Sequence, residues 1–212
     1  RRLIGKRVKS LKEKLVKLTR QRHTQRRART KNAVFSVSLV GYTNAGKSTL
    51  FNRLTHAGAY VADQLFATLD TTSRRVFIPE AGQLVLSDTV GFIKQLPHGL
   101  VVSFRATLEE AAQADLLLHV VDAASAARDS QIEQVNRVLA EIGAAHLPQI
   151  LVMNKIDMAG LAPRVDRDEY GKITRVWISA ASGDGLDLAR QALIEAAKAS
   201  LAQTTQPEAL TA

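Results

Sequence analysis

The sequence predicts a three-layer α/β fold: a mostly parallel six-stranded sheet with helices on both faces, preceded by a basic α-helical arm. Three observations carry this. Apolar, β-branched runs alternate with amphipathic helical stretches, the pattern of parallel strands joined by crossover helices. The first run, Val34 to Val40, feeds directly into Gly41-Tyr42-Thr43-Asn44-Ala45-Gly46-Lys47-Ser48, which reads G-x-x-x-x-G-K-S. Charge is also segregated. Of 29 Lys/Arg and 20 Asp/Glu in 212 residues, residues 1–31 hold 14 bases and one acid, Glu13, so +13 of charge lies there against a net +9. The rest of the chain therefore carries −4, and the basic character belongs to the arm.

In chain order the arm comes first, over residues 1–32. Ile4, Val8, Leu11, Leu15 and Leu18 recur at spacings 4-3-4-3, a heptad seam on an otherwise basic helix. From Arg20 to Lys31 the apolar residues stop and the basic ones continue. Such a segment is either a solvated helical linker, half of a helical hairpin, or an arm whose Lys and Arg neutralise RNA phosphates. No aromatic is interleaved, so any RNA contact through residues 1–31 is expected at the backbone and not at the bases. Two turns of seam are too few for an oligomeric coiled coil, so a monomer is expected.

A globular domain is expected over 33–202. Its first loop has the chemistry of a phosphate cradle. Gly41 and Gly46 permit turns and close approach that a Cβ would block. Backbone amides and a helix N-terminus face the anion. Lys47 reaches the β- and γ-phosphates, and the Ser48 hydroxyl suits Mg²⁺. Thr49 to His56 then reads as a helix with Leu50, Phe51 and Leu54 on one face. Tyr60 to Thr72 has no clear period and reads as a long loop. Arg74 to Pro79 and Leu84 to Ser87 read as two strands about a Glu80-Ala81-Gly82 turn.

Asp88-Thr89-Val90-Gly91 closes the second of these strands. D-x-x-G is weak by itself. Following an apolar strand about forty residues after the loop, it stands where a carboxylate holds the Mg²⁺ shell and the Gly91 amide meets the γ-phosphate. Arg105 to Ala114 reads as helical, and Leu116 to Asp122 as a central strand in which His119 is a satisfied buried histidine rather than a ligand. Ile132 to Ile142 marks a helix and Gln149 to Met153 a strand. Asn154-Lys155-Ile156-Asp157 ends that strand. Its aspartate can accept N1–H and the 2-amino group of guanine, whereas adenine would leave it unpaired. Asn154 and Lys155 are expected to tie this loop to the phosphate loop and to cover the base. After a last strand, Ile173 to Ile178, the Ala180 amide of Ser179-Ala180-Ala181 is placed to meet guanine O6. Leu186 to Leu201 is the final helix, and 203–212 reads as a disordered tail. These features together are those of a P-loop NTPase of the G-domain type, with GTP or GDP and Mg²⁺ as ligands.

Cysteine is absent, which excludes disulfides and thiolate metal sites. No apolar run approaches membrane-spanning length and no signal peptide is visible, so a cytoplasmic protein is expected. The chain opens on Arg1 rather than Met, so a fragment of something longer is expected.

Beyond the generic motifs, Gly41 to Leu54, Asp63 to Asp70 (DQLFATLD), Ser87 to Phe92 (SDTVGF), Phe104 to Glu109 (FRATLE) and Ala114 to Asp122 resemble the GTPase domain of the HflX family of ribosome-associated GTPases. The resemblance covers residues 1–200. It implies GTP hydrolysis coupled to the large ribosomal subunit, with rescue or splitting of ribosomes under stress. It implies that Phe66, Ala67, Thr68, Leu69 and Asp70 form the first switch, with Thr68 ligating Mg²⁺; from the residues alone Thr68, Thr71 and Thr72 all qualify. The family's separate N-terminal domain and glycine-rich stretch have no counterpart here. Lys47, Thr68 and Gly91 are the expected catalytic residues.

Phe92 follows D-x-x-G where Ras-like enzymes place a water-orienting Gln, so slow intrinsic turnover is expected, completed by a partner or another residue. Gln95, His98, Arg105 and Asp70 are near the switches, and none is assigned as the base. Asn44 occupies the position at which potassium-stimulated GTPases carry an asparagine ligand. A K⁺ there would supply charge worth roughly 10³–10⁵ in rate when an arginine provides it; otherwise Asn44 only caps the loop. Three alternatives remain: a GTP-dependent binding switch for RNA or another partner, a basic-helix RNA-binding module with a structural nucleotide, and a GTPase of tRNA modification or ribosome assembly.

Overall fold

A computed structural model describes residues 34–56, 72–92 and 111–204. All but Val34 belong to one compact unit, Phe35–Ala212. The strands are β1 (Phe35–Gly41), β2 (Thr72–Ile78), β3 (Gly82–Asp88), β4 (Leu116–Asp122), β5 (Gln149–Asn154), β6 (Arg164–Arg167) and β7 (Ile173–Trp177). The helices are α1 (Lys47–Thr55), α2 (Arg128–Glu141), the single turn α3 (Ile156–Ala159) and α4 (Leu186–Thr204). Among the described residues no helix is long and apolar enough to cross a membrane.

One sheet joins all seven strands in the order β2-β3-β1-β4-β5-β7-β6. The five central strands run parallel, and β2 and β6 pair antiparallel at the two edges. The expected six strands are thus corrected to seven among the described residues. β6 escapes sequence reading because Arg-Val-Asp-Arg is four residues long, charged and at an edge, where charge is favoured over an apolar run. Its register is fixed by side chains: Trp177 Nε1 donates to Asp166 Oδ2 at 2.9 Å, and the Arg164 guanidinium lies 3.8 Å from the Trp177 ring centroid.

Strand alternation sorts the core. On β4, Leu116, Leu118 and Val120 face α1 and α4, packing with Leu50, Phe51, Leu54, Ala189 and Leu193. Leu117 faces the other way, toward Val135 and Leu139 of α2. That continuous apolar run on a strand covered on both faces is why β4 reads without polar alternation. His119 is the polar side chain within that run, which Asp122 closes. It is 1 % exposed, its Nδ1 lies 2.6 Å from Gln149 Nε2, and burial holds its pKa down at about 4. It is a satisfied core histidine. α4 continues to Thr204, past residue 202, because the Ala-rich sequence sustains helix without a stop signal. The arm, residues 57–71 and 93–110, and 205–212 lie outside the described residues, as do all but the last residues of the Arg105–Ala114 helix.

Candidate nucleotide site

Four motif segments follow β1, β3, β5 and β7, four of the five adjacent parallel strands, at their carboxyl ends. That edge is where ligands of open α/β sheets bind.

The phosphate loop leaves β1 and is fixed by backbone. Phe92 N–H donates to Gly41 O at 3.1 Å and Thr43 N–H donates to Phe92 O at 2.8 Å. The chain after Asp88 is thereby zipped to the loop, with Tyr42 and Phe92 forming a parallel bridge. Two glycines are obligatory. A Cβ on Gly41 would lie 2.2 Å from Val120 O, and one on Gly91 would lie 2.8 Å from Lys47 Nζ and 2.9 Å from Thr43 Cα. The loop tip, Asn44, is exposed with φ 59°. Gly46, φ 93°, opens α1, whose first-turn amides have no partner within the helix.

Lys47 is 6 % exposed, and its Nζ donates to Tyr42 O at 3.0 Å. Burial pulls its pKa down to about 8, against the opposing pull of the Asp88 carboxylate. A buried ammonium held by a loop carbonyl is poised for an anion. Ser48 Oγ donates to Asp88 Oδ2 at 2.6 Å, joining two motifs 40 residues apart. Hydroxyl and carboxylate are hard oxygen donors that fit Mg²⁺. Among the described residues no cluster of three His, Cys, Asp or Glu could hold a metal. Thr89 and Val90 are buried, and Thr89 Oγ1 donates to Leu39 O at 2.6 Å. Their role is to anchor the segment that presents Gly91. The Phe92 ring is 3 % exposed, packed with Val40, Leu117 and Leu139. It anchors the loop in the core and presents nothing to a water.

The base end is held by side chains. Asn154 is 2 % exposed, and its Nδ2 donates to Ala45 O at 2.9 Å while its Oδ1 accepts from Ala180 N–H at 2.9 Å. One amide thus ties the phosphate loop to the Ser179-Ala180-Ala181 loop. A Cβ on Gly46 would lie 2.2 Å from Asn154 Nδ2. Lys155 departs from the expected tie to the phosphate loop: its Nζ pairs with Asp122 Oδ2 at 2.9 Å. The reason is local. Asp122 lies opposite Asn154 in the β4–β5 register, and Lys155 turns at φ 66°. Asp157 is exposed in the first turn of α3. Ser179 is buried, and its Oγ accepts from Ser182 N–H at 3.1 Å, closing a tight loop. Two contributors escape sequence reading. Arg53 Nε donates to Ala180 O at 3.1 Å and its Nη2 to Ala181 O at 2.5 Å, and Asp122 orients Lys155. Neither belongs to a local pattern. Phe66, Ala67, Thr68, Leu69 and Asp70 lie outside the described residues, as do Gln95, His98 and Arg105.

A phosphate loop, a hydrogen-bonded Ser–Asp pair and an N-K-x-D loop on one sheet edge define a P-loop GTPase domain. A family model described as 50S ribosome-binding GTPase matches residues 36–155. The chain is similar to the GTPase HflX of Escherichia coli (strain K12), 54 % identical over 206 residues, covering 97 % of this chain and 48 % of that protein. It is 48 % identical over 193 residues to the GTPase HflX of Caldanaerobacter subterraneus, covering 91 % and 44 %. The chain belongs to the ribosome-binding GTPase family, HflX type, and spans about half the length of the curated relatives it matches. A GTP-binding protein of Sulfolobus solfataricus solved in complex with GDP is similar at 25 % identity and TM-score 0.62, covering 89 % of this chain and 61 % of that one. Era, solved with MgGDPNP and a segment of 16S ribosomal RNA, shares the fold at 24 % identity and TM-score 0.63, covering 76 % and 56 %.

Proposed function

We propose that this chain binds and hydrolyses GTP with Mg²⁺, slowly when alone, and that its partner is the large ribosomal subunit. The observation that carries this is the convergence of Lys47, the Ser48–Asp88 pair and Asn154 on one sheet edge. Its family, whose description names ribosome binding, supplies the partner.

The loop from Gly41 to Thr49 would wrap the phosphates with its amides and Lys47. Ser48 and Asp88 would hold Mg²⁺, joined by Thr68. When bound, the ion neutralises charge that builds on the phosphate oxygens. Gly91 would present its amide to the γ-phosphate. Asp157 would read the guanine edge, with Lys155 alongside and the Ala180 amide near O6. Asn154 holds that loop at the height of the phosphate loop. Phe92 is buried, so no side chain at that position orients water, and slow turnover alone follows. Asn44 at the exposed tip suits a K⁺ ligand that would complete the charge. The arm over 1–31 suits rRNA phosphates. The same partner supports ribosome rescue or splitting under stress, by a monomer, in the cytoplasm. The second reading is a binding switch, in which hydrolysis only resets a bound state; the buried Phe92 favours it over an efficient stand-alone enzyme.

The test is GTP turnover in K⁺ and in Na⁺, with and without purified large subunits, and with ATP as control. Stimulation by the subunits with ATP inert is expected. Equal rates in K⁺ and Na⁺ would remove the K⁺ role. Turnover indifferent to the subunits would remove them as the activating partner.

A further inference from the structure

We propose that the outward face of the β2–β3 hairpin docks an unpaired stretch of RNA, with Phe77 stacking on a base and Arg75 meeting the phosphate beside it. Among the described residues β2 is an edge strand of the sheet. Its alternation turns Val76 and Ile78 toward the core, with Leu84 and Leu86. Ser73, Arg75 and Phe77 face the other way, opposite Ser87, Val85 and Gln83. Phe77 is 70 % exposed, an expensive place for a phenyl ring. Arg74 and Arg75 are exposed, and among the described residues neither has an ion pair or hydrogen bond. The hairpin's two acids do not offset them: Glu80 pairs with Lys198 at 3.4 Å, and Asp88 is buried against Ser48.

Charged residues on an edge strand often serve only to block strand pairing. That accounts for the arginines and leaves the exposed ring unexplained. A peptide added to the edge would use the backbone and leave the cations unmatched. An unpaired nucleotide matches both, since it offers a π-face and a phosphate. Arg75 and Phe77 stand about 7 Å apart on one face, within reach of a single nucleotide. Charge complementarity is local here, because the chain outside residues 1–31 is net negative. The inference rests on the large-subunit reading and deepens it by naming the contact as RNA.

The test uses the whole chain and the variants Phe77→Ala, Phe77→Tyr and Arg75→Gln. Binding is measured to intact large subunits by cosedimentation and to a fluorescein-labelled single-stranded RNA by anisotropy, across a salt series. Phe77→Ala is expected to weaken both by roughly five- to a hundredfold, at low and high salt alike, with Phe77→Tyr restoring binding. Arg75→Gln is expected to lower the slope of log K against log salt by about 0.7. GDP affinity should be the same in all four proteins, which reports correct folding. Unchanged RNA binding by the variants overturns the proposal. So does a Phe77→Ala loss confined to intact subunits, which would mark a protein contact. If the parent ignores subunits but Phe77→Ala still loses RNA, the large-subunit reading falls and this surface stands. If the parent binds neither, both fall.

Discussion

The two ends of the nucleotide site are held by different forces. At the phosphate end the backbone does the holding: Gly41 and Thr43 are bonded to Phe92, and Gly91 is wedged against Lys47 and Thr43. At the base end side chains do it: Asn154 bridges two loops, Arg53 holds two carbonyls, and Asp122 holds Lys155. Backbone contacts at van der Waals limit leave no room for a methyl group, whereas side-chain ties can be removed one at a time. The phosphate end should therefore fail abruptly and the base end by degrees.

The sharpest way to break that contrast is Gly91→Ala. Its methyl would displace Lys47 and the loop at Thr43. We expect a loss of roughly 1–3 kcal/mol in stability from overpacking, and up to about a hundredfold in GDP affinity as the charge-assisted Lys47 contact is displaced. Gly82→Ala is the control. It has open space around it and φ 77°, so it should lose about 1 kcal/mol of stability and no nucleotide affinity. Calorimetric titration of GDP reads both. Equal affinities would show that the phosphate end yields as readily as the base end.

Lys47→Ala comes next, with an expected loss of roughly ten- to a hundredfold in affinity. Its titration gives a second reading. With the folded-state pKa pulled from 10.5 to about 8, the unfolded chain holds a proton that the folded chain lacks between those values. Stability should therefore rise with pH across that window. Phosphates prefer the protonated ammonium, so GDP affinity should fall as pH passes about 8. Urea melts and titrations between pH 7 and 9.5 would show the two opposed trends in the parent. In Lys47→Ala both should be flat, and a persisting slope would assign them to another group.

Asn154→Ala tests the base end. It would strand Ala45 O and Ala180 N–H, where an unsatisfied buried polar group costs about 1–3 kcal/mol. Urea unfolding should register that cost. Guanine affinity should fall while residual phosphate binding persists, so GDP and GMP should lose in proportion.

What was legible in the sequence follows the same division. Glycine and lysine positions at the phosphate end could be read because only those residues meet the steric and charge demands, and the pattern is local. Asn154 could be read as a tie because an amide can serve two loops at once. The partner of Lys155 could not, because β4–β5 register brings Asp122 beside it from 33 positions away. The same holds for Arg53, which reaches carbonyls more than 120 positions distant. β6 was hidden for another reason: a short charged edge strand lacks the apolar period by which strands are recognised. Phe92 was legible as the absence of a water-orienting side chain, but its burial under α2 is a fact of packing.

Asp122→Asn should give the smallest effect. The Asp122–Lys155 pair is about a fifth exposed at each side chain, and such pairs contribute about 0.2–1 kcal/mol. Stability should change by less than about 0.5 kcal/mol, since the amide can still accept from Ala124 N–H. The signature should lie in nucleotide release. Lys155 sits at φ 66°, a conformation that a non-glycine residue holds only with support. Without its carboxylate the lysine stem should leave the base face more often, and GDP should dissociate about two- to fivefold faster. Salt separates this from a general loosening: the parent's release should quicken with ionic strength and the variant's should not. Trp177, the chain's one tryptophan, packs with Met153 and Ile156 beside this loop and offers the optical probe. If Asp122→Asn released GDP as fast as Asn154→Ala, the base end would be a single cooperative unit, and the contrast with the phosphate end would fail.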